Sequence, residues 1–388
     1  MNIFSSLKEM PLPSLFGIGG GLNGYLDSSK LNSYDPLLEN GNAGLSFKAY
    51  DSSATELKGY LGPTKSDLRS AYQSNDSWGS WVARDDKFNT TSTGIQVWYV
   101  PITATYKIVM ESPKHHNAPP SSGLGVKLEF TFDLTKGERL FILPGQKCSP
   151  NPDSNSSFGG NGATFLVRSN GTSATDLDAD LLGCTVNDVI AICGGGADAD
   201  SGQSIGDGTL PGSHPSGSDL ETSTNYGSGR GPTGYYVSGE GGGPSGGAGF
   251  LRAAGQHNAS GTVIKTYNEY EDSTSEVFAA DAFVRGGRGG KGYASNNATE
   301  QSNGGMNGSG GFGGGGGQST GNSYSSGAGG MMGGTEIDGS DAYPSNFDYA
   351  NGVNRHGGGS SYIDNNATVT TQATSTSSIG YVKFNFAS

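Results

Sequence analysis

The stretch GVKLEFTFDLTKGERLFILPG, residues 125–145, decides the fold class. Val126, Leu128, Phe130 and Phe132 alternate with Lys127, Glu129 and Thr131, a period of two that suits a half-buried strand and not a helix. Residues 133–138 (DLTKGE) carry Asp and Gly, which favour a turn. The chain then resumes as RLFILPG, and the two runs read as a hairpin. Similar short runs occupy 80–83, 95–100, 105–110, 163–167 and 188–192, and no helix-period pattern of useful length separates them. Many short strands divided by turns predict an all-β sandwich or jelly roll. Residues 378–388 return to the same pattern, with Tyr381, Lys383 and Asn385 alternating with Val382, Phe384 and Phe386. This final strand needs a sheet to join, and the sheet available lies in the first half.

Between those parts the composition changes. Glycine makes up 68 of 388 residues; residues 1–193 hold 20 of them and residues 194–388 hold 48. From Gly304 the sequence reads GGM-NGS-GGF-GGG-GGQ, so that Gly305, Gly308, Gly311, Gly314 and Gly317 share one position of a three-residue period. GGRGGK from Gly286 repeats this spacing, and so does GGGPSGGAG from Gly241, with glycine every third residue at Gly243, Gly246 and Gly249. Polyproline II has three residues per turn and no internal hydrogen bonds, so glycine edges let such strands approach and bond to one another. The division expected is an N-terminal segment 1–45, a β-sandwich 46–193, an inserted polyglycine-II bundle 194–377 and a final sandwich strand 378–388. On this phase Phe312 occupies the third, outward-capable position, where Phe312→Ser is expected to be mild.

Thirty-six acids against 23 bases leave a net charge of −13, which argues against nucleic acid and anionic membrane as partners. Cys148, Cys184 and Cys193 have no CxxC spacing and read as reduced, buried small residues. The first fifteen residues, MNIFSSLKEMPLPSL, contain no apolar run of signal-peptide length, so folding in a cytoplasm is expected.

Signals of catalysis are weak. GRGGKG at 287–292 fits GxGxxG but lacks the strand-turn-helix context of a nucleotide site. Asp176, Asp178 and Asp180 begin like a calcium loop, but Leu181 and Asn187 stand where Gly and Glu are needed, which leaves solvated loop acids. His115 and His116 have no third ligand at zinc spacing and read as a surface turn. Glu269, Glu271 and Asp272 would serve a glycosidase only at a defined carboxyl separation. No catalytic residue, metal or cofactor is expected.

Seven stretches carry a family resemblance: GIQVWYVPITATYKI (94–108), FDLTKGERLFILPGQ (132–146), FGGNGATFLVR (158–168), DVIAICGGGA (188–197), GGFGGGGG (310–317), GGGSSYI (357–363) and IGYVKFNF (379–386). In this order they resemble the glycine-rich extracellular domain of the anaplastic lymphoma kinase and leukocyte receptor kinase family. That resemblance implies a tumour-necrosis-factor-like sandwich carrying polyglycine-II helices. The glycine runs are also similar to those of the tail-tip adhesins of T4-like bacteriophages, which implies receptor-binding loops held between packed glycine helices. ESPKHHNAPPSSG (111–123) departs from the first family, which would have a Gly-rich turn there.

The segments between glycine runs are rich in aromatic and short polar residues. EIDGSDAYPSNFDYANGVNRH (336–356) contains Tyr343, Phe347 and Tyr349; VIKTYNEYEDSTSEVF (263–278) contains Tyr267 and Tyr270. Such rings bring contact area at low entropy cost, and these five are the receptor-binding candidates. The expected function is non-enzymatic: a virion tail fibre, spike or adhesin that recognises a host-surface glycan or outer-membrane protein. Its N-terminal segment would bind other virion proteins, and a homo-oligomer, with a trimer as one form, is expected. The alternatives are a ligand-binding ectodomain at a cell surface or a tail-associated polysaccharide-degrading enzyme.

Overall fold

The computed structural model describes residues 45–50, 55, 59–74, 81–115, 123–148, 159–169, 171, 176–197, 210, 247–251, 256–257, 263–265, 280–290, 309–317, 327–331, 333 and 358–387. Their strands, in chain order, are β1 (Leu45–Phe47), β2 (Phe88–Thr90), β3 (Gln96–Tyr99), β4 (Ala104–Glu111), β5 (Gly125–Leu134), β6 (Arg139–Leu143), β7 (Thr164–Arg168), β8 (Val189–Cys193), β9 (Gln256–His257), β10 (Val263–Lys265), β11 (Tyr362–Ile363), β12 (Thr368–Ser375) and β13 (Tyr381–Phe386). Helices are few and short: α1 (Lys65–Gln73) and α2 (Leu177–Leu182). The fold is all-β. A five-stranded sheet runs β1-β13-β4-β5-β12, a six-stranded sheet runs β11-β8-β7-β6-β3-β2, and β9 and β10 form a separate ladder. Every pairing is antiparallel.

The two large sheets share one core. Tyr106, Ile108, Met110, Leu128, Phe130 and Phe384 of the first meet Trp98, Leu140, Ile142, Leu166 and Ile190 of the second. Trp98 is central to it, with its ring centroid 4.6 Å from Phe384, 5.9 Å from Phe47 and 6.0 Å from Tyr106. α1 closes one end. Thr64 caps it by accepting a hydrogen bond from Asp67 N at 3.1 Å, and Leu68, Ala71 and Tyr72 are its buried residues.

Residues 125–145 do not form a hairpin. β5 lies between β4 and β12 in the first sheet, whereas β6 lies between β3 and β7 in the second. The connection crosses from sheet to sheet, held by Glu138 N bonded to Thr135 O at 3.0 Å, with Gly137 at φ 86°. It is also tied to the crossing between β3 and β4: Val100 N donates to Glu138 O at 2.8 Å and Lys136 N to Thr103 Oγ1 at 2.9 Å. The two runs differ in burial, and that difference is the reason they part. β5 alternates, with one face in the core, whereas all five residues of β6 are buried.

Two further expectations are corrected. Trp81–Ala83 forms a turn, with Arg84 N bonded to Trp81 O at 3.2 Å, and buries Trp81 and Val82 without joining a ladder. Residues 362–363 and 368–375, assigned by glycine content to the insertion, belong to the two large sheets as β11 and β12. Threonine-rich TVTTQATS favours extended backbone although it carries almost no apolar side chain.

β13 does join the sheet, pairing β1 on one side and β4 on the other in continuous register from Tyr381 with Glu111 to Phe386 with Tyr106. Deleting residues 378–388 therefore opens the middle of a sheet. Circular dichroism and thermal melting of the truncated chain are expected to show no cooperative transition where the intact chain shows one.

Candidate functional site

The second sheet is buried on both faces, and its strands read accordingly as near-continuous apolar runs, RLFIL in β6 and VIAIC in β8. Against its outer face, Val97, Phe141, Leu143, Phe165, Val167 and Ile192 form a second core with Phe250, Phe283, Phe312 and Met331 from the glycine-rich half and with Leu177 and Leu181 of α2. Phe283 stacks between Phe165, at 4.6 Å, and Phe250, at 5.5 Å. A few large side chains thus fasten a layer made mostly of backbone.

Within that layer the glycine segments bond largely to one another, although internal bonds occur where the chain turns, as from Gly315 N to Gly311 O at 2.9 Å. From residues 309–317, Gly311 N donates to Gly160 O at 2.8 Å, Phe312 N to Gly59 O at 2.7 Å, Gly313 N to Gly287 O at 2.7 Å and Gly316 N to Gly327 O at 2.7 Å. The same residues accept from Gln146 N at Phe312 O and from Ala248 N at Gly314 O. A strand in a sheet has two neighbours; this segment bonds to more than two. The packing distance explains the glycines. A methyl group on Gly329 would sit 1.8 Å from Gly313 O, on Gly162 1.8 Å from Phe312 O, on Gly359 1.7 Å from Gly329 O and on Gly311 1.9 Å from Gln146 O.

Phe312 corrects the sequence reading. It is fully buried, because Gly313 and Gly314 take φ of 107° and 83° and turn the chain there, which places the ring in the second core near Gly62. A three-residue phase read along an uninterrupted helix does not register that turn. Gly314 and Gly317 also lie in the described layer, while Gly305 and Gly308 lie outside the described residues.

Other candidates resolve into structural roles. Asp180 is not a solvated loop acid: it is buried in an ion pair with Arg139, whose guanidinium also donates to Gly171 O at 2.7 Å. Asp176 caps α2, accepting from Ala179 N at 2.9 Å, and the carboxylate of Asp178 accepts from Ser92 N at 3.1 Å. His115 is buried rather than on a surface turn, with Nε2 3.5 Å from Cys148 Sγ, because its backbone N bonds to Gly123 O and draws the chain inward. All three cysteines are buried and free of disulfides. Among the described residues no group of three metal-ligating side chains converges.

Tyr267, Tyr270, Tyr343, Phe347 and Tyr349 lie outside the described residues, as do residues 1–44. One described flank of each aromatic segment reaches the same place, Gly247–Ala248, while Val263–Lys265 at the start of the second pairs with β9. Gly333, just before 336–356, packs so that a methyl group would lie 1.8 Å from Gly247 O. Ala280, just after 263–278, forms a buried pair with Ala248. On the far side of 336–356, Gly359 N donates to Gly195 O at 3.0 Å. Gly247–Ala248 lies in the glycine run GGGPSGGAG (241–249), but its role as a contact for both segments was not read from the sequence. No family model and no curated protein matches this chain.

Asp281 is the most perturbed acid of the layer. It is 1% exposed, and neither carboxylate oxygen makes a hydrogen bond of good geometry among the described residues. Burial pushes its carboxyl up to about 7, against the opposing pull of the Ala282 N–H and the Arg285 charge. The native state therefore holds this proton where the unfolded chain has lost it, and stability falls as pH rises from about 4 to about 7, by up to about 4 kcal/mol. Asp281→Asn, which resembles the neutral acid, is expected to flatten that fall in melting temperature. Gly329→Ala and Phe312→Ser are each expected to cost about 3 kcal/mol or more in denaturant melts. Gly137→Ala, strained in φ but with no atom within 4 Å, is expected to cost about 1 kcal/mol.

Proposed function

We propose that this chain is a non-enzymatic display protein of a virion, a tail fibre, spike or adhesin, in which the glycine layer holds aromatic loops against a host surface. The supporting observation is that one flank of each aromatic segment, Gly333 before 336–356 and Ala280 after 263–278, packs at Gly247–Ala248, inside a layer whose backbone bonds in several directions. Binding loops gain specificity from a rigid base, since less ordering remains to be done on contact. The layer itself exposes few side chains, so recognition falls to what it carries: Tyr343, Phe347 and Tyr349 first, Tyr267 and Tyr270 second. In finer terms we read the two sheets as a jelly roll of the tumour-necrosis-factor type. The layer we read as a polyglycine-II bundle, for which the many-neighbour bonding of 309–317 speaks. The N-terminal segment would dock on other virion proteins, and the ligand would be a glycan or an outer-membrane protein.

The test uses the full chain, fluorescently labelled, on a panel of bacterial cells and on a glycan array. Tyr343→Ala/Phe347→Ala/Tyr349→Ala is expected to melt like the parent and to lose binding by at least tenfold. Unchanged binding by the folded triple variant would overturn the assignment of these residues. Failure of the parent to bind any cell or glycan would overturn the adhesin reading.

A further inference from the structure

The edges of the two large sheets are treated unequally. β1 and β2 are three residues each and β11 is two, so three of the four edges are short. Short edge strands are a standard protection against edge-to-edge pairing. The fourth edge, β12, is eight residues long. It pairs with β5 through Thr368 to Ser375, and no described residue bonds to its other side. Packing holds little of it: Thr368, Val369, Thr370, Gln372 and Thr374 are exposed, Thr371 and Ala373 are half-buried, and only Ser375 at its end is buried. The usual guards of such an edge are Lys and Pro, and neither is present. From Asn365 to Val382 there is no charged residue and no proline in a chain of net charge −13. Its one irregularity, the register shift between Val369 and Thr371, leaves five further paired positions, Thr371 to Ser375, in line.

We infer that β12 is a self-association edge, which pairs antiparallel with β12 of a second copy to join the two five-stranded sheets. Charge selects this occupant. Two copies of so acidic a chain repel almost everywhere, and the uncharged edge is where approach is least opposed. Symmetry selects the geometry: one long edge per chain is used by both copies, giving a closed two-fold dimer. A three-fold ring would require two different complementary edges, and the other three are short. An eight-residue ladder buries less than a standard interface, so the dimer is weak and concentration-dependent. This inference does not depend on the adhesin reading.

In a full-length pairing Val369 faces Thr374 of the other copy, and both are exposed, so charges there spare the fold. Sedimentation velocity over a concentration series is expected to show a monomer–dimer equilibrium for the parent. Val369→Lys/Thr374→Lys and Val369→Glu/Thr374→Glu, each with parental circular dichroism, are each expected to weaken self-association at least tenfold, since like charges then face each other across the joint. An equimolar mixture of the two variants is expected to dimerise again, because each Lys then faces a Glu. A parent that stays monomeric at every concentration, charged variants that dimerise like the parent, or a mixture that stays monomeric would overturn the inference.

Discussion

The rest of the structure depends on one sheet that cannot face water on either side. The strands of the six-stranded sheet carry apolar residues at both parities, so its inner face makes the core with the first sheet and its outer face needs a second cover. In many proteins helices supply such a cover. Among the described residues the six-residue α2 is the only α-helix that does so, beside a layer of irregular glycine-rich backbone fastened by Phe250, Phe283, Phe312 and Met331. Such a layer must satisfy its own amides, since water is excluded from its inner side. It does so laterally, between segments, as in the bonds from Gly195 N to Gly329 O and from Gly329 N to Asn161 O. Close approach makes those bonds possible, and glycine makes the close approach possible.

Side chains buried in such a layer are exceptions that show its cost. Asp281 carries a carboxyl into a place where only backbone groups are matched, and its proton affinity rises in consequence. The side-chain amide of Gln146 is likewise buried without a hydrogen bond among the described residues, although its backbone N–H and C=O are both bonded into the layer. The layer accommodates main chain more readily than polar side chains.

Much of this was legible in the sequence, and the unread parts have identifiable physics. Alternation in 125–132 marked a strand with one wet face, whereas the near-continuous apolar run RLFIL, a sign of a doubly covered strand, was read only as the other half of a hairpin. A turn of six residues reads alike whether it folds a hairpin or crosses between sheets, so the partners of β5 and β6 were not to be had locally. The position of the last strand followed from a simple need for a sheet. β12 was hidden because its threonines give extended backbone without the apolar periodicity that announces a buried face. Phe312 was misplaced because a left-handed pair of glycines turns the chain where a regular repeat would have carried it straight on. At the candidate site the aromatic segments were conspicuous by composition. The packing of one flank of each at Gly247–Ala248 depends on contacts far apart in sequence, which no local pattern encodes.

The place of β13 bears on how the molecule is made. It lies between β1 and β4, and Phe47 pairs with Val382 across 335 positions of chain. Loop closure of that span is entropically demanding, and topologies rich in distant contacts fold slowly. On the ribosome, β4 and β5 emerge long before the strand that completes their sheet, while β1 has no partner until that strand arrives. The first sheet thus waits, with one side of β4 open, through the synthesis of the whole glycine-rich half. The outer face that the glycine layer covers belongs to the second sheet, whose strands β2, β3, β6, β7 and β8 have all been synthesised by Cys193. The order of synthesis therefore favours building outward from the second sheet, with the first sheet closing last.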